Sequence, residues 1–262
     1  MKTIDFEDLV KDNNNYSKKK ISLCIGVFDG IHLGHQRILN RVINNNYFSI
    51  VITFNKNPKM HSGRKVDEKP LLTKELKSEI FEKMGFDLEV IIDFSTEISK
   101  LSADEFMQKL CKNLDIKELV VGEDFQLGNP RASKNAFELQ DNLNLYSCET
   151  KVVITPAVVD SLNMVISSTR IRQLIKLGKM DVVHNLLGRE YLLDLGSTPS
   201  QTFGDSLLFK TENVKQLLPC NGSFTGCWFE EDLLASIDID DKVIRISPKP
   251  KFSVKNYILA IS

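Results

Sequence analysis

The sequence predicts an α/β protein with an open, Rossmann-like parallel sheet and a smaller C-terminal antiparallel domain that resembles a β-barrel. Three observations lead to this prediction. Continuous apolar runs, typical of strands buried on both faces, alternate with amphipathic helical patterns through most of the chain. A glycine-punctuated turn joins the first long apolar run to a helical pattern. Beyond Tyr191 the apolar runs shorten and alternate with polar residues.

Five apolar runs are predicted to be the strands of the parallel sheet. They are Ile21–Val27, Phe48–Phe54, Leu88–Ile92, Glu118–Val121 and Val152–Val159. Right-handed crossovers between such strands produce a doubly wound sheet, and ligands of these sheets bind beyond the carboxyl ends of the strands.

Two of the helices between these strands have clear signals in the sequence. An apolar stripe at helical spacing extends from Leu76 to Met84 and stops at Gly85, which favours a helix that ends there. Ser102 and Glu105 have the spacing of a capping box, which predicts a helix start.

Six shorter runs are expected to be strands of the C-terminal antiparallel domain. They are Tyr191–Leu195, Ser206–Phe209, Ser223–Phe229, Leu233–Ile239, Val243–Ile246 and Tyr257–Ile261. The chain of 262 residues is therefore predicted to form two domains, residues 1–187 and residues 188–262.

Composition excludes several classes of partner and location. The net charge is −1 with lysines and acids interspersed, so no nucleic-acid or membrane partner is expected. Five cysteines without framework spacing indicate reduced thiols. No apolar stretch has the length of a spanning helix and the N-terminus has no basic region before an apolar one, so a cytoplasmic protein is expected. The oligomeric state stays open.

The turn after the first predicted strand carries two histidines. Its sequence is GVFDGIHLGHQ, in which His32 and His35 lie three positions apart at a predicted helix start. The free N–H groups and the dipole of a helix start attract an anion. Gly26, Gly30 and Gly34 allow the backbone to approach a ligand closely. A capping loop with two solvated histidines is the alternative interpretation.

A second helix start with anion-binding groups lies far downstream. The segment SSTRIR begins at Ser167, with serine and threonine as a predicted N-cap and Gly178 as a stop. Its hydroxyls and the Arg172 fork suit phosphate oxygens, although a simple cap with surface arginines explains the segment almost as well by itself. Two such starts in one domain predict a shared phosphate-binding site.

Several common catalytic motifs are absent from the sequence. It contains no G-x-x-x-x-G-K-[ST] loop and no G-x-G-x-x-G after a strand, so neither a P-loop nor a dinucleotide site is indicated. It also lacks H-E-x-x-H, paired C-x-x-C and G-x-S-x-G. Zinc hydrolysis and acyl transfer therefore have no support.

The two anion motifs together are similar to those of the nucleotidyltransferase superfamily, in which HxGH and a second helix start hold ATP. More closely, the chain resembles the FAD synthetase module of bacterial bifunctional riboflavin kinase/FAD synthetases. Five segments between about Ser22 and Tyr191 carry this resemblance: GVFDGIHLGHQ, ITFNKNP, VGEDFQLG, ISSTRIR and LLGREY. Their order, together with VGEDF and LLGREY, distinguishes this family from relatives with other substrates.

The resemblance implies that FMN and ATP are the substrates and that FAD and pyrophosphate are the products. The phosphate of FMN, with a second pKa of about 6, is already ionised near neutral pH, so no general base is required. The protein must align two polyanions and stabilise charge, which suits imidazoles, helix N-termini, an arginine and the Mg²⁺ expected with ATP. Bound phosphates could hold His32 or His35 cationic. The sequence assigns no protein ligand to the metal.

The resemblance also assigns residues to three roles. The catalytic residues are His32, His35 and Arg172. The residues expected to bind ATP are Gly26, Phe28, Asp29, Gly30, Ser168 and Thr169. The residues expected to bind the flavin are Phe54, Asn57, Pro58, Asp124 and Phe125. Asn57 replaces the family's histidine and Gln126 its arginine, so the flavin site is where this sequence departs from the family.

The C-terminal region resembles a shortened riboflavin kinase domain. The family's G-x-P-T-A-N segment is missing, and residues 196–204 read GSTPSQTFG instead. No residue after Leu192 can be assigned as the carboxylate base of a kinase. The chain is therefore predicted to be an FMN adenylyltransferase without riboflavin kinase activity. A bifunctional enzyme with diverged kinase motifs and a non-catalytic flavin or nucleotide binder are the alternatives.

Overall fold

The chain forms two compact units that do not follow the order of the sequence. The computed structural model describes residues 1–11, 15–55, 69–93, 97–129, 132–143, 149–228, 232–250 and 258–261. The first unit, here the parallel unit, comprises Met1–Phe28, Gly34–Asp67 and Ser78–Val158. The second, here the antiparallel unit, comprises Asp29–Leu33, Glu68–Lys77 and Val159–Ser262.

The parallel unit contains a six-stranded, entirely parallel sheet, as predicted. In chain order its strands are β1 (Lys2–Asp5), β2 (Lys20–Ile25), β3 (Phe48–Phe54), β4 (Leu88–Ile92), β5 (Asp115–Gly122) and β8 (Lys151–Thr155), and a short hairpin of β6 (Gln126–Leu127) and β7 (Lys134–Asn135) lies apart from them. Their spatial order is β1-β4-β3-β2-β5-β8. Five of these strands were predicted. The exception, β1, is a largely exposed edge strand and so has no apolar run.

The order of the strands reverses between β2 and β5. From β2 the chain moves through β3 to β4 on one side, and β5 then pairs with β2 on the other side. Ligands of open α/β sheets bind at such a reversal, beyond the carboxyl ends of the strands. Here those ends lead into the β2–α2 loop (Gly26–His32) and into the turn that begins at Gly122.

Seven α-helices are described. They are α1 (Phe6–Val10), α2 (Leu33–Ile43), α3 (Lys74–Met84), α4 (Ala103–Lys112), α5 (Ala136–Leu143), α6 (Ser168–Lys176) and α7 (Met180–Leu187). The capping box is confirmed, because Glu105 N donates to Ser102 Oγ over 3.2 Å and Ser102 N donates to the Glu105 carboxylate over 2.8 Å. The sequence patterns gave no indication of α1, although Phe6 stacks on Phe106 in the core with ring centroids 4.8 Å apart.

The antiparallel unit contains a seven-stranded sheet that curls into a half-barrel. Its strands are β9 (Tyr191–Asp194), β10 (Ser200–Phe203), β11 (Ser206–Lys210), β12 (Gly222–Trp228), β13 (Leu233–Ile239), β14 (Val243–Ser247) and β15 (Ile258–Ile261), in the order β10-β11-β14-β13-β12-β15-β9. Burial alternates along β13 and β14, as the predicted antiparallel pattern requires. The edge strand β10 was not predicted, since all four of its residues are exposed.

Hydrogen bonds explain why a segment near residue 70 belongs to the antiparallel unit. The buried amide of Gln216 donates to Leu71 O and to Leu192 O, each over 3.0 Å. Leu217 N donates to Pro70 O over 3.0 Å. The antiparallel unit therefore begins after Val158 and also includes two earlier segments, Asp29–Leu33 and Glu68–Lys77. The predicted functional division at residue 187 stays a prediction.

Four of the five cysteines are described, and all four are free thiols, as predicted. The fifth, Cys148, lies outside the described residues. Within the described ranges, no helix combines the length and the apolar character needed to cross a membrane.

Candidate active site

The first half of the β2–α2 loop brings three of the predicted site residues together in the parallel unit. Phe28 is buried, and its ring lies so close to Gly26 that a Cβ there would be 2.9 Å from the Phe28 Cζ atom. The imidazole of His35 packs against this Phe28 ring in a T-shaped arrangement, with ring centroids 5.4 Å apart and an interplanar angle of 83°. Glycine at position 26 thus leaves room for the ring that contacts His35.

The backbone of the β2–α2 loop is strained. Three of its residues have positive φ angles: Phe28 at 49°, Gly30 at 82° and Ile31 at 41°. For a bulky or β-branched residue this region is a genuine outlier that costs roughly 1–3 kcal/mol, and it persists where surrounding contacts impose it. Such strain is typical of functional loops. Asp29, between the strained residues Phe28 and Ile31, is held by contacts within the antiparallel unit.

Asp29 holds the strained loop through hydrogen bonds and an ion pair. Its Oδ1 atom accepts hydrogen bonds from Leu71 N over 2.9 Å and from Leu72 N over 3.3 Å. Its Oδ2 atom forms an ion pair with Arg172 on α6, and both side chains are about nine-tenths buried. The backbone carbonyl of Asp29 accepts from Ser168 Oγ over 2.8 Å. The two anion motifs are therefore joined through one carboxylate and one hydroxyl.

The predicted helix start in SSTRIR is confirmed, with Ser167 as the N-cap of α6. Its side chain accepts from Arg170 N over 3.3 Å, which leaves the Ser168 hydroxyl for Asp29. The guanidinium of Arg170 pairs with Asp160 and donates to Met164 O over 3.2 Å. Thr169 is exposed in the first turn of α6.

The surroundings of His32 favour the neutral imidazole. Only 5% of the residue is exposed, and burial, with a smaller contribution from the Arg189 guanidinium, lowers the pKa of His32 to about 4. A cationic His32 would therefore require bound phosphates to outweigh both effects. At neutral pH the imidazole has one N–H to donate and one nitrogen to accept.

Arg189, which was not assigned a role from the sequence, lies beside the β2–α2 loop. Its Nη2 atom donates to Gly30 O over 2.8 Å. It directly follows Gly188, which ends α7 in the left-handed conformation at φ 68°. The sequence signal was available in LLGREY, where an arginine follows a helix-ending glycine, but spacing alone does not indicate that this side chain reaches Gly30.

The predicted flavin-binding residues that are described lie at the carboxyl ends of β3 and β5. Phe54 and Phe125 are partly buried and pack against the core of the parallel unit. Asp124 is exposed in the turn closed by the bond from Phe125 N to Gly122 O over 3.1 Å. Asn57 and Pro58 lie outside the described residues. All the flavin assignments stay predictions.

Comparison with known proteins identifies the family. A model of the FAD synthetase family matches residues 14–170. The bifunctional riboflavin kinase/FMN adenylyltransferase of Buchnera aphidicola subsp. Schizaphis graminum is 27% identical, covering 92% of this chain and 80% of the relative. The FAD synthetase of Listeria monocytogenes is 27% identical, covering 68% and 73%.

A solved structure shares the fold over the whole length of the chain. The crystal structure of a macrolide-efflux protein from Streptococcus pneumoniae has a TM-score of 0.80 at 21% identity, covering 100% of this chain and 89% of that one. At this identity the likeness concerns the fold alone. The family match, by contrast, extends over more than half of the sequence and includes both histidines, the VGEDF segment and the start of α6. The chain belongs to the FAD synthetase family.

Proposed function

We propose that the protein is an FMN adenylyltransferase that converts ATP and FMN to FAD and pyrophosphate. The observation that carries this proposal is the joining of the two anion motifs: Asp29 of the strained loop pairs with Arg172 and accepts from Ser168 at the start of α6. A loop held in this way is preorganised, and preorganised donors stabilise transition-state charge without reorganising during the reaction.

The proposed chemistry needs charge stabilisation more than proton transfer. An ionised phosphate oxygen of FMN attacks the α-phosphorus of ATP, and the bond from that phosphorus to the bridging oxygen of pyrophosphate breaks. Because His32 is neutral, it can donate a hydrogen bond to a phosphate oxygen without giving up a proton. His35 is held by the Phe28 ring and supplies a second imidazole. Arg172 acts on the loop through Asp29.

We propose that Mg²⁺ reaches the site with ATP. Among the described residues, no group of three or more histidine, cysteine, aspartate or glutamate side chains is placed to hold a metal ion. Magnesium commonly keeps several waters and binds through substrate phosphates with one or two carboxylates. That mode of binding fits this site, in which the phosphates would be the main ligands.

The proposal also includes the absence of riboflavin kinase activity. A kinase base must accept the proton of an alcohol, and three of the described acids near the antiparallel strands already accept other hydrogen bonds. Asp238 accepts from Ser223 Oγ over 2.6 Å and Asp241 from Asn221 Nδ2 over 2.7 Å. Backbone N–H groups of Lys242 and Val243 lower the pKa of Asp240, which makes it a weak base. Glu230 and Glu231 lie outside the described residues.

A bifunctional enzyme is the second candidate. It is favoured by the names of several relatives, including one of which this chain covers 80%. For either candidate the partners we propose are small molecules, with neither nucleic acid nor membrane, and the location we propose is the cytoplasm. These proposals rest on the near-neutral charge and the cysteine pattern.

Product analysis distinguishes the two candidates. The purified chain is incubated with ATP, Mg²⁺ and either FMN or riboflavin, and flavins and pyrophosphate are separated and quantified. We expect FAD and equimolar pyrophosphate from FMN, and no FMN from riboflavin. Folded protein that binds ATP without forming FAD would refute the adenylyltransferase proposal. ATP-dependent FMN from riboflavin would establish the bifunctional enzyme instead.

A further inference from the structure

Three arginines of the antiparallel unit, Arg170, Arg172 and Arg189, differ in their partners. Arg170 pairs with the Asp160 carboxylate and Arg172 with that of Asp29. Arg189 has no carboxylate partner in the described part of the chain; its guanidinium donates to two backbone carbonyls, Gly30 O over 2.8 Å and Leu187 O over 3.4 Å. Two of these cations are thus neutralised by the protein, and the third is not.

The surroundings of Arg189 leave part of its guanidinium unused. Its Nε atom is buried and has no acceptor among the residues that the structure describes. The nearby hydroxyl of Tyr191 donates to Leu217 O over 2.8 Å, and burial raises the pKa of that phenol, so it supplies no negative charge. Burial lowers the pKa of Arg189 to about 10, which still leaves the side chain cationic at neutral pH.

A largely buried cation without a counter-ion is unfavourable unless an anion binds to it. The position of Arg189 indicates that this anion would bind beside the β2–α2 loop. Gly30 belongs to the strained β2–α2 loop, and His32 of the same loop lies close enough for the Arg189 charge to lower its pKa. Because His32 is neutral, Arg189 supplies positive charge that this imidazole does not.

We propose that Arg189 binds the polyphosphate of ATP and the pyrophosphate product, whereas Arg172 positions the loop through Asp29. This inference rests on the proposed function, since it assigns a further residue to the same site. The planar guanidinium fork suits phosphate oxygens, and the two carbonyl contacts orient it before the ligand arrives.

The test is the affinity of the full chain for ATP and for inorganic pyrophosphate, each measured by titration calorimetry. Arg189→Met keeps the length of the side chain and removes its charge, and we expect both affinities to fall roughly 10- to 100-fold, the range for one lost charged hydrogen-bond donor. Arg189→Lys should recover part of the loss. Arg245→Met, which removes an exposed charge from β14 in the same unit, is the matched control and should bind like the wild type. Wild-type affinity in Arg189→Met would overturn the proposal.

A measurement on the unmodified protein covers the case in which Arg189→Met does not fold. The Nε–H resonance of Arg189, assigned through bonds from its backbone amide, should move to lower field when pyrophosphate is added. An unchanged resonance at saturation would refute the contact. Wild-type protein that binds pyrophosphate at Arg189 but forms no FAD would refute the proposed function and leave this inference standing. Normal FAD synthesis with an unchanged Arg189 resonance would support the proposed function and refute this inference.

Discussion

The two sheets of this protein differ in how they distribute their loops. In the parallel sheet every strand runs in the same direction, so the turns that follow β2, β3 and β5 meet at one edge. In the antiparallel sheet successive strands reverse, so their turns are divided between two ends. His32, His35 and the described flavin-binding candidates lie at or beyond the carboxyl ends of strands of the parallel sheet, and Arg172 lies on α6. Asp238 and Asp240 on the antiparallel sheet are engaged in local hydrogen bonds.

The comparison teaches that the candidate site residues of the antiparallel unit, His32, Arg172 and Arg189, lie outside the strands of its sheet. Asp240 accepts from the backbone of its own turn and Asp238 from Ser223 on the neighbouring strand. Helix α6 and the Leu71–Leu72 backbone hold Asp29 of the strained loop. The parallel unit contains the ends of the parallel strands and His35. Each of the following predictions tests this division between stabilisation and chemistry.

The largest effect on stability is expected from breaking the Asp29–Arg172 pair. Arg172→Gln should lower the free energy of unfolding by about 3 kcal/mol, because it leaves a largely buried carboxylate without its counter-ion. The double variant Asp29→Asn/Arg172→Gln should lose less than the sum of the two single variants. Urea unfolding at pH 7 measures all three. Strictly additive losses would mean that the pair does not couple the loop to α6.

The largest effect on turnover without a comparable loss of stability is expected at His35. His35→Ala should reduce FAD synthesis by roughly 10²-fold or more, the scale of one lost transition-state donor. Asp238→Asn on the antiparallel sheet, by contrast, should keep FAD synthesis within about twofold of the wild type, because its carboxylate contacts Ser223 rather than the loop. Steady-state rates with FMN measure both. A large loss in Asp238→Asn would assign chemistry to the antiparallel sheet.

Stability should depend on pH through His32. Its pKa is about 4 in the folded protein and about 6.5 when unfolded, so the unfolded chain binds more protons between these values. Stability is therefore complete above pH 6.5 and should fall by about 2 kcal/mol between pH 7 and pH 4.5. Urea unfolding across this range should show the loss in the wild type, and His32→Gln should lack this part of it. Equal slopes in the two proteins would contradict a buried, neutral His32.

The smallest effect is expected at the cap of α6. Ser167→Ala should cost about 1 kcal/mol, since Arg170 N loses its side-chain acceptor. Ser161→Ala, in the exposed turn before α6, should be nearly neutral and is the matched control. Thermal unfolding monitored by circular dichroism distinguishes them. An identical melting temperature for both variants would show that the Ser167 cap contributes nothing to the stability of the protein.

The pattern of apolar residues predicted the longer elements, in which one face or both faces are buried over several residues. The bounds of β3, β4 and β13 agree with those predicted, because each is bordered by polar or glycine residues. The bounds of β2 and β8 differ, since the apolar runs continue into irregular backbone after Ile25 and Thr155. Short or exposed elements such as β1, α1 and β10 have no periodic signal.

The sequence predicted the residue types of the candidate site but not the hydrogen bonds and the ion pair that join them. GVFDGIHLGHQ and SSTRIR indicated two anion-binding helix starts, and glycines indicated a tight loop. The positive φ angles at Phe28 and Ile31 could not be predicted, because tertiary contacts impose them against the preference of those residues. The Asp29–Arg172 pair and the Arg189–Gly30 bond join residues more than 140 positions apart, which local patterns do not encode.

The bonds of Gln216 have a consequence for how the chain can be divided or shortened. Its one amide group holds Leu71 and Leu192, and Leu71 N in turn holds the Asp29 carboxylate. A fragment that ends at residue 187 would lose Gln216 and Leu192, and with them a support of the loop more than forty residues before Leu71. The C-terminal strands therefore cannot be removed without the loss of a support of Asp29, whatever other activity those strands have.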